Sequence, residues 1–401
     1  MTVHDQRLPS ARPRGMSRGL TLLFAIAAGA SVGNMYWAQP LLAPIAEDLG
    51  VAPGDAGFVI TLTQIGYAVG VFLLVPLGDA VDRKRVVPLI MLGAVLALAA
   101  TAAAPSFLVL LGVIALVGAT SVAGQILTPM AGDLATDEER GRVLGTVASG
   151  LMLGILLSRT VSGLVADLLG WRSVFVAASA LMLVLAVVLS RRLPRLETTT
   201  GAPYGQLLLG VLRTVRGNRR VQVTILLGAL PMSVFTLFWT GLTLLLSGEP
   251  YSYSTGTIGL ISLVGVAGAV AAQGAGRLYD RGLSVQALGG AMLLALASLA
   301  VAGIGQGSII AVVAAIALFS VGLQGALVLA QTRMMAIDPA ARSRMNTVYV
   351  VGNFIAGAIG SALAGLIWAW GGWTGLMAVG AAILVLGLAL WAAQRTRALA
   401  D

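Results

Sequence analysis

Residues 150–172 read GLMLGILLSRTVSGLVADLLGWR. Apolar and small residues dominate, and Arg159 is the charge set between the long apolar runs, with Asp167 and Arg172 falling toward the end of the stretch. Together with the residues just before it, the run 143–168 is long enough to cross a hydrocarbon core of about 30 Å as a helix rising about 1.5 Å per residue. Its end, GLVADLLGW at 163–171, recurs as GLIWAWGGW at 365–373, 202 positions later. PLGDAVDR at 76–83 recurs as GAGRLYDR at 274–281, and TDEERGRV at 136–143 has its counterpart in IDPAARSRM at 337–345. Three matches at nearly one offset make the chain two copies of one unit.

Working outward, similar apolar runs fall at roughly 19–43, 56–78, 86–104, 107–131, 143–168, 171–190, 221–246, 254–276, 285–304, 308–331, 345–369 and 373–392, which predicts twelve spans. Of the 401 residues, 58% are hydrophobic and 10% charged, against about 25% charged in an ordinary soluble domain. Long runs point to helices, because a membrane barrel would show short alternating segments. The expected fold is all-α and integral to the membrane, with six spans per copy. Six is even, so both copies enter from the same side as parallel repeats, an arrangement typical of secondary transporters with the path between halves.

Arginine sets the orientation. With a cytoplasmic N-terminus, 23 of the 25 lysines and arginines fall in inside segments, and only Arg159 and Arg172 do not. Both termini are then cytoplasmic, in a bacterial inner membrane. The expected organisation is a tail at 1–18, a six-helix bundle at 19–190, a linker at 191–219, a second bundle at 220–392 and a tail at 393–401. Within the linker, Leu207, Leu208, Val211, Leu212 and Val215 beside Arg213 and Arg216 predict an amphipathic helix on the inner leaflet. The net charge of +9 follows from this asymmetry and from anionic lipid, so no nucleic-acid partner is expected. Zero cysteines, one histidine in the tail and one lysine, in DRKRVV, argue against disulfides, metal sites, histidine catalysis and a Walker A loop. No enzyme activity, cofactor or metal is expected.

PLGDAVDRKR, with Gly78, Asp82, Arg83 and Arg85, resembles the loop between helices 2 and 3 of the major facilitator superfamily, and GRLYDRG resembles its loop 8–9. YWAQPLLAPIAEDLG and GILLSRTVSGLVADLLGWRSVF resemble a bacterial branch of sugar-efflux and drug-efflux permeases. The glycine–proline pair of proton-driven drug antiporters is absent from the fifth span. The resemblance implies that Asp82 faces the start of the eleventh span and that basic loop residues pair with Asp133. It thereby forms an inner gate from Asp79, Asp82, Arg83, Arg85 and Asp133 with Asp280, Arg281, Arg342 and Arg344. The alternative is that these charges set topology and turns. It also implies that spans 2, 5, 8 and 11 join the halves, through stripes such as Gly150, Gly154, Ser158, Ser162 and Ala166, although such stripes equally serve packing inside one half.

By the same resemblance, spans 1, 4, 7 and 10 surround the cavity, which selects Asn34, Tyr36, Gln39, Gln125, Trp239 and Gln324 as substrate contacts. Amides inside spans seek partners, so interhelical bonding is the competing role for each. Arg159 has three readings: snorkelling to the interface, bonding to a neighbouring helix, or facing the cavity. No carboxylate is comparably buried, which suits an anionic or neutral polar substrate better than a cationic drug. The expected function is proton-coupled efflux of a small sugar-like or otherwise polar solute by a monomer working by alternating access. Drug efflux, uptake by symport or uniport, and a non-transporting membrane sensor or scaffold stay as alternatives.

Overall fold

The structure is a computed structural model, and residues 15–194, 203–338 and 341–399 are described. Among them there is no strand. The helices are α1 (Arg18–Gly33), α2 (Leu42–Leu49), α3 (Pro53–Ala80), α4 (Arg83–Ala102), α5 (Phe107–Thr120), α6 (Ala123–Leu134), α7 (Arg140–Leu169), α8 (Trp171–Arg192), α9 (Tyr204–Gly217), α10 (Arg219–Ser247), α11 (Thr255–Ile261), α12 (Val266–Asp280), α13 (Ser284–Ile304), α14 (Ile309–Ile337) and α15 (Arg342–Gln394). Taking α5 with α6 and α11 with α12, ten helices are long and apolar enough to cross a membrane. Their outer surface is apolar: Leu168 is 82% exposed and Leu96 71%, a surface that lipid solvates and water does not.

Local chemistry starts and stops these helices. Ser17, Asp82, Asn218 and Ser254 cap α1, α4, α10 and α11 by accepting from their first-turn amides. Gly170, at φ 80°, separates α7 from α8, and its repeat counterpart Gly372, at φ 51°, breaks α15. At about 1.5 Å per residue, an unbroken α15 would run about 80 Å, far beyond any bilayer; the glycine divides it into two membrane-length helices. Inside the apolar segments, several hydroxyls bond back to the preceding turn, as Ser31 does to Ala27 O (2.8 Å) and Thr63 to Val59 O (2.7 Å), so that these add no unsatisfied group.

Packing follows the repeat. In the first half α1 lies on α7, α3 on α5 and α4 on α8; in the second, α10 lies on α15, and α12 and α13 on α14. The halves meet where α3 packs on α15 and α7 on α11. The small-residue stripes are not the seam. Gly150 and Gly154 of α7 leave room only for the backbone of α1 at Ala25 and Gly29, Gly66 and Gly70 of α3 for Ala115 and Ala119 of α5, and Gly360 of α15 for Ser233 of α10. All of these are contacts within one half. The seam uses other glycines: Gly163 meets Thr255, and its counterpart Gly365 meets Gly54, with a Cβ on Gly365 only 2.5 Å from Gly54 O.

Candidate substrate cavity

A cavity of about 230 Å³ lies between the halves, lined from α6, α7, α10, α12, α14, α15 and the segment after α1. That segment exists because α1 stops at Gly33 and the chain turns through 34–38 before a short 3-10 helix, Gln39–Leu41, with Pro40 in its first turn. Asn34 Oδ1 holds the turn by accepting from Trp37 Nε1 (2.9 Å). The break places Tyr36 on the cavity wall and Gln39 opposite Arg159. A second break, the 3-10 turn Ser262–Gly265 between α11 and α12, brings Gly265 against the Trp239 ring.

Arg159 is 2% exposed and lines this cavity. Its Nε donates to Gln39 Oε1 (2.6 Å). Its guanidinium carbon lies 4.1 Å from the centre of the Trp239 ring, 4.8 Å from Tyr36 and 5.7 Å from Phe235, an aromatic cage that stabilises a cation by about 0.5–2 kcal/mol. The side chain therefore does not snorkel to the interface: it is bonded to Gln39 and lies on the cavity lining. A guanidinium has five N–H donors, and only Nε finds a hydrogen-bond acceptor among the described residues; buried Nη2 has none. Trp239 Nε1, Ser320 Oγ and Asn353 Oδ1, on the same wall, are also buried without partners. Among the described residues, no Asp or Glu lines the cavity.

Of the residues expected from sequence, Tyr36, Gln125, Arg159, Trp239 and Gln324 share the wall, whereas Asn34 and Gln39 do not. Those two act on the turn and on the arginine. Gln324 Nε2 lies 3.7 Å from Met152 Sδ, a link between halves. Ser320, Phe235, Tyr349 and Asn353 also line the wall; Tyr349 and Asn353 are recognisable as polar groups in a span, while Ser320 and Phe235 carry no sequence signal. Among the described residues no group of three His, Cys, Asp or Glu could hold a metal.

The two ends of the cavity differ. At the arginine-poor end, Asp167 of α7 accepts from Gly256 N (3.0 Å) and from the Thr255 hydroxyl of α11. Nearby, Thr160 Oγ1 donates to Gly259 O (3.0 Å), and Ser361 Oγ donates to Gly57 O (3.1 Å). All these bonds cross between halves and shut that end. At the arginine-rich end, Gly141 and Gly145 of α7 and Gly274 and Gly276 of α12 have no neighbour within 4 Å of a Cβ position. There Asn346 Nδ2 donates across to Gln125 Oε1 (3.1 Å), flanked within each half by Gln331 Nε2 to Asn346 Oδ1 (3.2 Å) and Gln125 Nε2 to the Tyr67 hydroxyl (3.1 Å).

The expected gate charges are not gathered in this arrangement. Arg83 pairs with Asp133 (2.9 Å) and donates from Nε to Gly78 O (3.0 Å), all inside the first half. Asp82, expected to face the start of the eleventh span, instead accepts from Lys84 N (3.0 Å) and caps its own helix, because an N-cap carboxylate satisfies an otherwise orphaned amide. Arg85, Asp280, Arg281, Arg342 and Arg344 are exposed, and the Asp79 side chain lies outside the described residues.

The family model described as Major Facilitator Superfamily matches residues 24–338. An "Uncharacterized transporter", YgaY, of Escherichia coli O157:H7 is 40% identical over 376 residues, 94% of this chain and 95% of that one. A "Probable transporter" of Streptomyces coelicolor is 34% identical over 399 residues, covering 99% and 92%. Among solved structures, that of the nucleoside transporter NupG superposes with a TM-score of 0.75 at 14% identity, covering 93% of this chain and 98% of that one; at this identity the likeness concerns the fold alone. With a cavity between two helical halves and this match along most of its length, the chain belongs to the major facilitator superfamily and is a multi-pass membrane transporter, not an enzyme.

Proposed function

We propose that this transporter exports a small organic anion, carrying one negative charge, in exchange for protons. The observation that carries the reading is the unfinished coordination of Arg159. A buried guanidinium with donors left over is costly, and a carboxylate, which accepts two parallel N–H bonds from one guanidinium, is its best-matched acceptor. With no acid on the wall, the arginine is not neutralised in advance. The volume of about 230 Å³ is below the range of about 300–1,000 Å³ typical of drug-sized sites, which favours a small metabolite over multidrug efflux. Met152, Ile155, Leu156, Met232, Phe235 and Leu327 supply an apolar wall that favours an amphipathic anion over a sugar.

The same proposal includes the topology. Counting the two parts of α15 separately and α1 with its continuation as one span gives twelve, in two parallel bundles joined by the linker that carries α9. The arginine-rich face is then cytoplasmic in the inner membrane, both termini lie there, and the structure is inward-open. Alternating access requires the Asp167 contacts to part and the charges of Asp82, Arg83, Arg342 and Arg344 to approach. Uptake by the same cycle run in reverse is the second reading, because closure at one end is compatible with either direction.

Vesicles containing the purified protein test it. Under an imposed pH gradient, small carboxylates should move with proton counterflow and their neutral amides should not. Equal transport of acid and amide would remove the anion claim.

A further inference from the structure

A groove of about 590 Å³ runs along the seam between α3 and α15, walled by residues such as Ile65, Val69, Leu73, Val351, Ile355 and Ile359. Among the described residues, Thr61 is the one polar residue of its lining, and its hydroxyl lies 3.4 Å from Gly57 O, a bond back to its own helix. From Val351 to Ala362 the wall extends about 17 Å along α15, close to the ~15 Å half-thickness of a hydrocarbon core. This is the length of one acyl chain in one leaflet. At the arginine-rich end, Tyr204 of α9 donates its hydroxyl to Leu73 O (2.6 Å), and Val211 packs with Phe72 and Val348, so α9 bounds the groove there.

On α9 itself lies a polar recess of about 760 Å³, lined by Gln206, Arg213, Thr214 and Arg344 among others. Arg213 and Arg344 are exposed and make no salt bridge with any described residue. Exposed Leu209 and Leu212 stand beside Arg213, a basic and apolar surface of the kind that lies in a bilayer interface. Arg344, Val351, Ile355 and Ala362 are spaced by 7, 11 and 18 residues, one face of a helix, and Arg344 is about 10 Å from Val351 along the axis. A paired cationic recess and a leaflet-long apolar groove thus share one helix face.

We propose that this site binds one anionic phospholipid of the inner leaflet, its headgroup on Arg213 and Arg344 and one acyl chain in the α3–α15 groove. Two guanidinium groups match a phosphodiester with a net negative charge, and the apolar groove matches the chain; free inorganic phosphate would use only the first. The leaflet follows from the orientation proposed above, while the site does not depend on the substrate reading. A chain seated there touches both halves, so its occupancy favours the arrangement in which they stand this far apart.

Native mass spectrometry of the full chain, extracted from vesicles of phosphatidylcholine with about a quarter phosphatidylglycerol, tests the site. One phosphatidylglycerol should be retained in preference to phosphatidylcholine. The pair Arg213→Gln and Arg344→Gln should lower that retention roughly thirtyfold, as expected for removing two basic groups from a lipid surface. Ile355→Trp, which fills the groove, should lower it with both arginines present. On the unaltered protein, raising salt should release phosphatidylglycerol, an outcome independent of whether any variant folds. Equal retention of the two lipids, salt-insensitive retention, or a signal abolished by inorganic phosphate and untouched by Ile355→Trp would overturn the proposal.

Discussion

Replacing Asp167 by Asn tests the closure of the arginine-poor end. The carboxylate accepts from the Gly256 amide and the Thr255 hydroxyl across the seam, and bonds to a charged acceptor contribute about 1.5–3 kcal/mol when buried. Asp167 is exposed at the rim, so solvent screening reduces the loss to about 1 kcal/mol. Because those bonds exist only while that end is shut, the loss falls on one of the two states and shifts their ratio about fivefold. The chain has no cysteine, so a single Ala269→Cys on the cavity wall is an unambiguous reporter. A membrane-impermeant maleimide added outside should label it about five times faster in the Asp167→Asn background. Thr255→Ala should do the same, and the double variant should add little, as for two partners in one contact. Unchanged or slower labelling at normal expression would refute the latch.

Other outcomes follow from the packing and charges. Gly154→Val should prevent folding of the first half, since a side chain there meets the α1 backbone, whereas Gly163→Val should fold and shift the population toward the outward-open state; normal transport by both would contradict the assignment of stripe and seam. Arg83→Gln breaks the pair with Asp133 (2.9 Å) and should lower stability by about 1 kcal/mol while slowing transport; a variant identical to the parent in melting and transport would make the pair idle. Asp48, held below the usual carboxylate range by the hydrogen bond from Arg172, stabilises the fold above its unfolded value near 3.9. That contribution is lost as pH falls through the lower folded value. Asp48→Asn should therefore cost the same at pH 6 and pH 8, up to about 1 kcal/mol, and nothing once the native carboxyl is protonated; a cost that grows between pH 6 and 8 would contradict this.

Much of the fold could be read from residue order because membranes leave few choices: a long apolar run must be helical, and the GLVADLLGW repeat marks matching breaks at Gly170 and Gly372. What the pattern concealed is which face a small residue presents. Gly150, Gly154 and Gly163 look alike in sequence, yet the first two pack on α1 and the third on α11, and a shift of one residue turns a helix by about 100°. The cavity was legible where an expensive group announced itself, as with Arg159 and Trp239. It was not legible at Ser320 or Phe235, which cost nothing in lipid and reach the wall only through tertiary packing. Gln39 illustrates the limit from the other side, for it was expected to touch substrate and instead orients the residue that faces the cavity.

The claim at the centre is that Arg159 binds an anion, and ligand-induced stabilisation of the purified protein measures it directly. A small carboxylate that raises the melting temperature of the unaltered chain should fail to do so when presented as its amide. It should also fail on Arg159→Met and act more weakly on Arg159→Lys, which keeps the charge but loses the planar fork. Stabilisation by the amide equal to that by the acid, or full stabilisation of Arg159→Met by the acid, would contradict the account.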